Sequence, residues 1–305
     1  MRILVLGAGA TGGYFGGRMA AAGADVSFLV RERRAEQLLC DGLVIESPLG
    51  DWRGPVNTVT AAALGGGYDA VILSCKAYDL DAAIDAIRPA VGPRTVILPL
   101  LNGLNHLAEL DATFGSEHVL GGLCAISVTM SDEGHVRHLN RLQILAYGPR
   151  SDSQREVCTA LLPELQKGGF GPQLSSAIMQ DMWEKFVMLT TLAGMTCLMR
   201  ASIGEIMATK DGHELTLEML GECCAVASAN GHPPRARNLE ISRATLTEPG
   251  SAVSASMRRD LESGGRIEAD HIVGDMLRRA ETLGQRAPLL RTAYCHLQCY
   301  QNRLA

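Results

Sequence analysis

The chain has 305 residues, enough for two domains with separate cores, and its 47% hydrophobic and 20% charged content is that of an ordinary globular protein. A formal net charge of −5 over this length excludes a general electrostatic field for gathering nucleic acid or an anionic membrane. Nine cysteines, an odd number with no CxxC pair, argue against a disulfide framework and for a reduced, cytoplasmic setting in which most of them pack as small hydrophobes.

The chain begins with the apolar run "RILVL" and continues into "LGAGATGGYFGG", residues 6–17. A secretion signal is one reading of this start, but seven glycines between Gly7 and Gly23 would cost an apolar helix roughly 1 kcal/mol each. The better reading is a buried strand, a glycine turn, a small-residue helix ending at Gly23, and a second strand, "DVSFLV". In that context Gly7, Gly9 and Gly12 have GxGxxG spacing. Gly7 allows the tight turn, Gly9 lets the backbone approach a pyrophosphate, and Gly12 lets the helix pack on the sheet. Ala8, Ala10 and Thr11 lie between them, with helix N-terminal amides placed for an anion.

At the end of the second strand, where an acid would accept the ribose hydroxyls of NAD, the sequence reads "LVRERR". Arg31 takes that position, with Arg33 and Arg34 behind it, and a guanidinium suits a 2′-phosphate. NADPH is therefore the expected cofactor; Glu32 leaves NAD(H), or a simple solvated loop, as the alternative.

Strands then follow at "YDAVILSCKA", "TVILPLLNG" and "HVLGGLCAISV", with helices over Leu80–Val91 and Leu104–Leu110. This alternation predicts an α/β fold with a doubly wound, Rossmann-type parallel sheet, whose ligands lie beyond the carboxyl ends of the strands. Lys76 and Asn102 stand at two such ends. "RHLNRLQILAYGPR" is expected to form hairpin strands closing this domain, and "SDSQREVCTALLPELQKGG" a helix. After "FGPQLSS" the composition becomes almost wholly helical, so we expect a first domain over 1–172 and an all-α domain over 173–305. "FVMLTTLAGMTCLM", Phe186–Met199, is shorter than the roughly 18 residues needed to span a bilayer and reads as a core helix. "HPPRARN" and "ESGGR" mark loops between helices. Near the end Cys295, His296 and Cys299 lie within one turn of each other and read as helix packing; no metal site is expected.

"GAGATG", "LSCKAYD", "LLNGLNH", "DMWEKFVM", "SASMRRDLESGGRIEADHIVGDML" and "LGQRAPLL", in this order over nearly the whole chain, resemble the ketopantoate reductase (2-dehydropantoate 2-reductase) family. The resemblance implies NADPH-dependent reduction of a 2-oxo acid to a 2-hydroxy acid in a cleft between a dinucleotide domain and a helical domain. It gives Lys185 the role of proton donor to the carbonyl oxygen. It gives Asn102 contacts to cofactor and substrate, Lys76, Ser127 and Glu268 places on the cofactor side, and Ser256 a substrate contact. A helical second domain of this kind also suits a homodimer.

One departure bears on the substrate. Where the family carries asparagines four and eight residues after the lysine, this chain has Leu189 and Ala193, and Ile203 replaces a third. The resemblance implies that these positions face the substrate, so a bulkier or more apolar 2-oxo acid is expected beside ketopantoate itself, the pantothenate precursor; Thr190, Thr191 and Thr196 offer replacement hydroxyls. Two alternatives stand beside the reductase: a non-catalytic NADP(H)-binding sensor, and a related hydroxy acid dehydrogenase working in the oxidative direction.

Overall fold

A computed structural model describes residues 1–304. The chain separates into two compact units, one of residues 1–101 and 106–179, the other of residues 102–105 and from Gln180 onward.

In chain order the first unit contains β1 (Ile3–Leu6), α1 (Ala10–Ala21), β2 (Val26–Leu29), α2 (Glu32–Asp41), β3 (Leu43–Glu46), β4 (Trp52–Gly54) and β5 (Asn57–Val59). It continues with β6 (Ala70–Leu73), α3 (Leu80–Ile87), β7 (Val96–Pro99), α4 (Asn105–Phe114), β8 (Gly121–Met130), β9 (Val136–Gly148), α5 (Arg155–Lys167) and β10 (Gln173–Leu174). Five of the strands form an all-parallel sheet in the order β5-β2-β1-β6-β7. Strands β1, β6 and β7 are buried almost completely, as the unbroken apolar runs require when helices cover both faces. The expected parallel sheet is therefore present.

"HVLGGLCAISV" departs from that expectation. Val119 makes a single parallel bridge to Ile97, and the chain then leaves the first sheet as β8. There β8 pairs antiparallel with β9 in a second sheet that also holds β10, β3 and β4. Gly122 permits the departure, because a Cβ there would lie 2.4 Å from the Pro99 carbonyl oxygen. "RHLNRLQILAYGPR" is mostly one long strand, β9, whose hairpin partner is β8 rather than itself.

The glycines of α1 have a structural use beyond the phosphate motif. A Cβ on Gly16 would strike the Phe28 ring and Val5 of the first sheet; one on Gly17 would strike Leu43 and Ile45 of the second. The helix packs at backbone distance between two sheets, which side chains would hold apart.

The expected boundary at 172/173 falls seven residues before the observed division at 179/180. Residues 173–179 stay with the first unit because β10 pairs with Ala146 and Tyr147 of β9, and Ile178 fills the space over Gly121 and Gly148.

The second unit is helical: α6 (Ile178–Met199), α7 (Ile203–Met207), α8 (Gly212–Ala229), α9 (Ala236–Leu246), α10 (Ser256–Glu262), a π-helical turn over Asp270–Gly274, α11 (Asp275–Thr282) and α12 (Pro288–Gln301). Gly194 of α6 meets Met219 of α8 and Ala293 of α12. Asp181 and Glu184 of α6 bind Arg235, the residue capping α9, with Nε of Arg235 donating to Glu184 at 2.7 Å. Glu184 is buried. Against that burial, hydrogen bonds from Arg235, Gln180 and Asn238 hold its carboxyl down at about 2.

No helix among the described residues is long and apolar enough to cross a membrane. Cys158, Cys197 and Cys223 pack as expected, and burial pushes their thiols up to about 11, about 12 and about 12. Cys295 and Cys299 correct the packing expectation: both are exposed on the outer side of α12, as is Cys40 on α2.

Candidate functional site

The strand-turn-helix at the start of the chain builds a pocket of about 600 Å³ within the first unit. Gly7 turns the chain with φ +81, a left-handed conformation that glycine adopts without a Cβ penalty. A Cβ on Gly12 would lie 2.5 Å from Ser74 Oγ and 2.7 Å from the Gly7 carbonyl, so this glycine seats α1 against β1 and β6. Gly9 lines the pocket, and a Cβ built there meets nothing within 4 Å. Gly7 and Gly12 thus take the turning and packing roles expected of them, and Gly9, where a pyrophosphate is expected to approach, lines the pocket. Gly9 caps α1 with no side-chain hydrogen bond, and the first turn (Ala10, Thr11) carries no acid, so the dipole's positive end is left open to an anion. A dinucleotide phosphate fits this cradle.

Arg31, the N-cap of α2, lines the pocket together with Glu32 and Arg34. Their tasks differ. Arg34 is half-buried and donates to the carbonyls of Ala8 (3.1 Å) and Gly134 (2.9 Å), bracing the glycine loop rather than waiting for a phosphate. Arg31 is exposed and lines the pocket. Arg33 does not line the pocket.

The opposite wall was not legible in the sequence. Ser74, Cys75 and the small residues Ala82, Ala83 and Ala86 of α3 form it, and only the run of alanines hinted at a surface kept low. Lys76 precedes the 3-10 turn Ala77–Asp79 and is not among the lining residues. Ser127 lies where the β8–β9 register jumps from Ile126–Gln143 to Val128–His138, an irregularity of the kind that re-aims side chains.

A second constellation lies within the helical unit. Lys185, half-buried on α6, donates from Nζ to Asn102 Oδ1 at 3.0 Å. Residues 102–105 belong to this unit, so Asn102 and Lys185, each expected at the site, are hydrogen-bonded within it. Leu189 and Ala193 follow on the same face of α6 at successive turns, Leu189 half-buried and Ala193 fully buried. Thr196 continues that face, and its Oγ1 accepts from the Ala255 amide at 3.3 Å. This bond brings Ser256, the first residue of α10, to the end of the Lys185 face.

Two threonines do not offer the expected replacement hydroxyls. Thr191 and Thr196 are fully buried and donate to the carbonyls four residues back, at 2.9 and 2.7 Å. Thr190 Oγ1 is buried and makes no hydrogen bond among the described residues.

Glu268 is 6% exposed, which sets it apart from a helix-surface carboxylate. The π-helical turn begins two residues later and buries His271, which the sequence reading did not single out. A ring N–H of His271 donates to the main-chain carbonyl of Asn102. Burial pushes the imidazole below its ordinary value, against the pull of that carbonyl and of the Glu268 and Asp275 charges. The only sequence signal was its place in "IEADHIVG", three residues after Glu268.

Known proteins give the chain a kinship. The family described as "Ketopantoate reductase PanE/ApbA" matches residues 3–151, and "Ketopantoate reductase PanE/ApbA C terminal" matches residues 177–301. The uncharacterized oxidoreductase YkpB of Bacillus subtilis (strain 168) is 36% identical over 301 residues, 99% of both chains. A 2-dehydropantoate 2-reductase of Nostoc sp. (strain PCC 7120 / SAG 25.82 / UTEX 2576) is 27% identical over 98% of this chain and 95% of its own length. D-Mandelate dehydrogenase, solved with NADH and anilino(oxo)acetate, shares the fold with a TM-score of 0.88 at 19% identity, covering 100% of this chain and 99% of that one. The chain is an oxidoreductase acting on a CH–OH group and belongs to the ketopantoate reductase family.

Proposed function

We propose that this protein reduces a 2-oxo acid to the 2-hydroxy acid with NADPH, using Lys185 as the proton donor. The observation that carries the reading is the 3.0 Å bond from Lys185 Nζ to Asn102 Oδ1. It holds an ammonium on a half-buried helix face, beside the amide that the family resemblance places against the substrate. Bound in the glycine cradle, the dinucleotide supplies the hydride. As the carbonyl oxygen gains charge, Lys185 stabilises it and transfers a proton, leaving a neutral amine that regains its proton from solvent. Asn102 keeps the ammonium aimed. Ser256 contacts the substrate, and Glu268, Ser127 and Lys76 serve the cofactor side.

For the cofactor, exposed Arg31 at the pocket wall supports NADPH over NADH. For the substrate, Leu189 and Ala193 support an apolar side chain, branched or aromatic, with ketopantoate as the smaller, hydroxylated member of the series. The hydroxy acid dehydrogenase reading draws support from the fold shared with D-mandelate dehydrogenase, solved with NADH and anilino(oxo)acetate. The cysteines, three of them with thiols held high by burial, fit a reducing cytoplasm.

The test is NADPH oxidation against 2-oxo acids graded by size and hydroxylation, for the wild type and Lys185→Met. A general acid contributes roughly 10²- to 10⁴-fold, so K185M is expected to lose at least a hundredfold in kcat while its NADPH Kd changes little. Binding of NADPH without turnover of any member would mean a sensor. An unchanged rate in K185M would remove Lys185 from the reaction.

A further inference from the structure

We propose that His271 is a positioning residue for the Lys185–Asn102 pair, holding the main chain of Asn102 so that its side-chain amide meets the lysine. The inference rests on the reading of Lys185 as proton donor and adds to it the group that sets its aim.

Asn102 has two carbonyl groups, and the structure uses both. Its side-chain Oδ1 accepts from Lys185 Nζ at 3.0 Å; its main-chain oxygen accepts from the His271 ring. The residue after it is the soft point of the turn. Gly103 has φ +78, and a Cβ there would lie 3.0 Å from the His271 carbonyl oxygen, 3.1 Å from Cδ2 and 3.3 Å from Nε2. His271 thus grips the turn twice, by a hydrogen bond on one residue and by ring and backbone contact on the next.

Its rigidity comes from the π-helical turn, in which His271, Ile272, Val273 and Gly274 are all buried. Such turns are rare and recur at functional sites. Glu268, Asp275 and Arg278 are the charged groups that act on the ring. In its neutral form the ring has a single N–H, and the Asn102 carbonyl fixes which nitrogen carries it. A phenylalanine would fill the same space without the donor. That difference separates positioning from packing.

Displacing a catalytic contact by about 1 Å costs on the order of a hundredfold in rate. His271→Phe, which keeps the ring and removes the donor, is therefore expected to lower kcat about tenfold to a hundredfold. NADPH Kd should stay within about twofold. His271→Gln presents an amide N–H close to the position of Nε2 and is expected to recover most of the loss. His271→Met is the second donor-free variant, should H271F fold poorly.

A readout independent of turnover comes from lysine-selective isotope labelling, since the chain has only four lysines, Lys76, Lys167, Lys185 and Lys210. The Lys185 side-chain resonance, assigned by its loss in K185M, should move in H271F and H271M and return in H271Q. A Lys185 resonance unmoved in both donor-free variants would overturn the proposal, as would an H271Q no better than H271F. If the wild type reduces no 2-oxo acid, the proposed reaction fails while the resonance still decides whether His271 positions Lys185.

Discussion

Two glycines three residues apart give opposite expectations, and together they test the phosphate cradle. At Gly9 the backbone lies at φ −84 and ψ −162, which any residue adopts, and a Cβ meets nothing within 4 Å. Gly9→Ala should therefore fold with unchanged stability. Its methyl would occupy the pocket surface where a pyrophosphate approaches the helix amides, weakening one or two charge-assisted hydrogen bonds worth about 1.5–3 kcal/mol each. The loss of one such bond corresponds to a rise in NADPH Kd of about tenfold to 150-fold. At Gly12 the methyl would lie 2.5 Å from Ser74 Oγ, 2.7 Å from the Gly7 carbonyl and 3.1 Å from Val5 Cγ1. The serine can turn away, but the carbonyl belongs to the glycine turn and cannot. Overpacking of this kind costs about 1–3 kcal/mol, offset by about 1 kcal/mol from the helix propensity of alanine. Gly12→Ala should lower the urea midpoint and weaken NADPH binding together. Urea unfolding and NADPH fluorescence titration measure the two quantities on the same samples. A G9A protein that binds NADPH as tightly as the wild type would refute the cradle.

Arg31→Ala should raise the KM for NADPH about tenfold or more and leave that for NADH nearly unchanged, because only the 2′-phosphate meets the guanidinium; an equal effect on both cofactors would show that Arg31 does not read the phosphate. Glu184 sets an acid limit on the helical unit: its folded value of about 2 lies below the ordinary 4.5, so its contribution is fully present above about pH 5 and is lost as pH falls from about 4.5 towards 2. The shift corresponds to about 3 kcal/mol, and Arg235 is the other end of the same pair, counted once. Urea midpoints at pH 7 and pH 3 should converge in Glu184→Gln relative to the wild type, and equal pH sensitivity in both proteins would show that acid weakens the fold elsewhere.

The first sheet was legible because its signals are local. β1, the glycine turn and α1 are adjacent in sequence, and Gly7 and Gly12 answer to contacts within that unit or with the strand beside it. The second sheet was not legible. β3 and β4 are short and only partly apolar, and nothing near "HVLGGLCAISV" tells a fifth parallel neighbour from a strand that leaves after Val119 to pair with β9. The site divides in the same way. Lys185 and Asn102 stood out in motif blocks, but 83 residues separate them, and only the folded chain brings Nζ to Oδ1. His271 was invisible because a buried histidine in an apolar helix ordinarily signals packing. Its role rests on a carbonyl 169 positions earlier in the chain.

The hydroxyls of α6 bear on how sharply substrates can be distinguished. Sequence spacing allowed three threonines to replace the missing amides, yet Thr191 and Thr196 bond their own helix, and Leu189 and Ala193 leave the face beyond Lys185 apolar. A surface of that kind discriminates by fit. One methylene more or less changes the rate by about 10- to 200-fold, whereas a site that hydrogen-bonds a substrate hydroxyl rejects the analogue lacking it by about 10⁴ or more. Thr190 is the single hydroxyl among the three with no bond among the described residues, and one such group cannot replace a set of amides. The rate across graded 2-oxo acids should then climb gently with apolar size, and a steep preference for hydroxylated members would mean that polar groups outside α6 read the substrate.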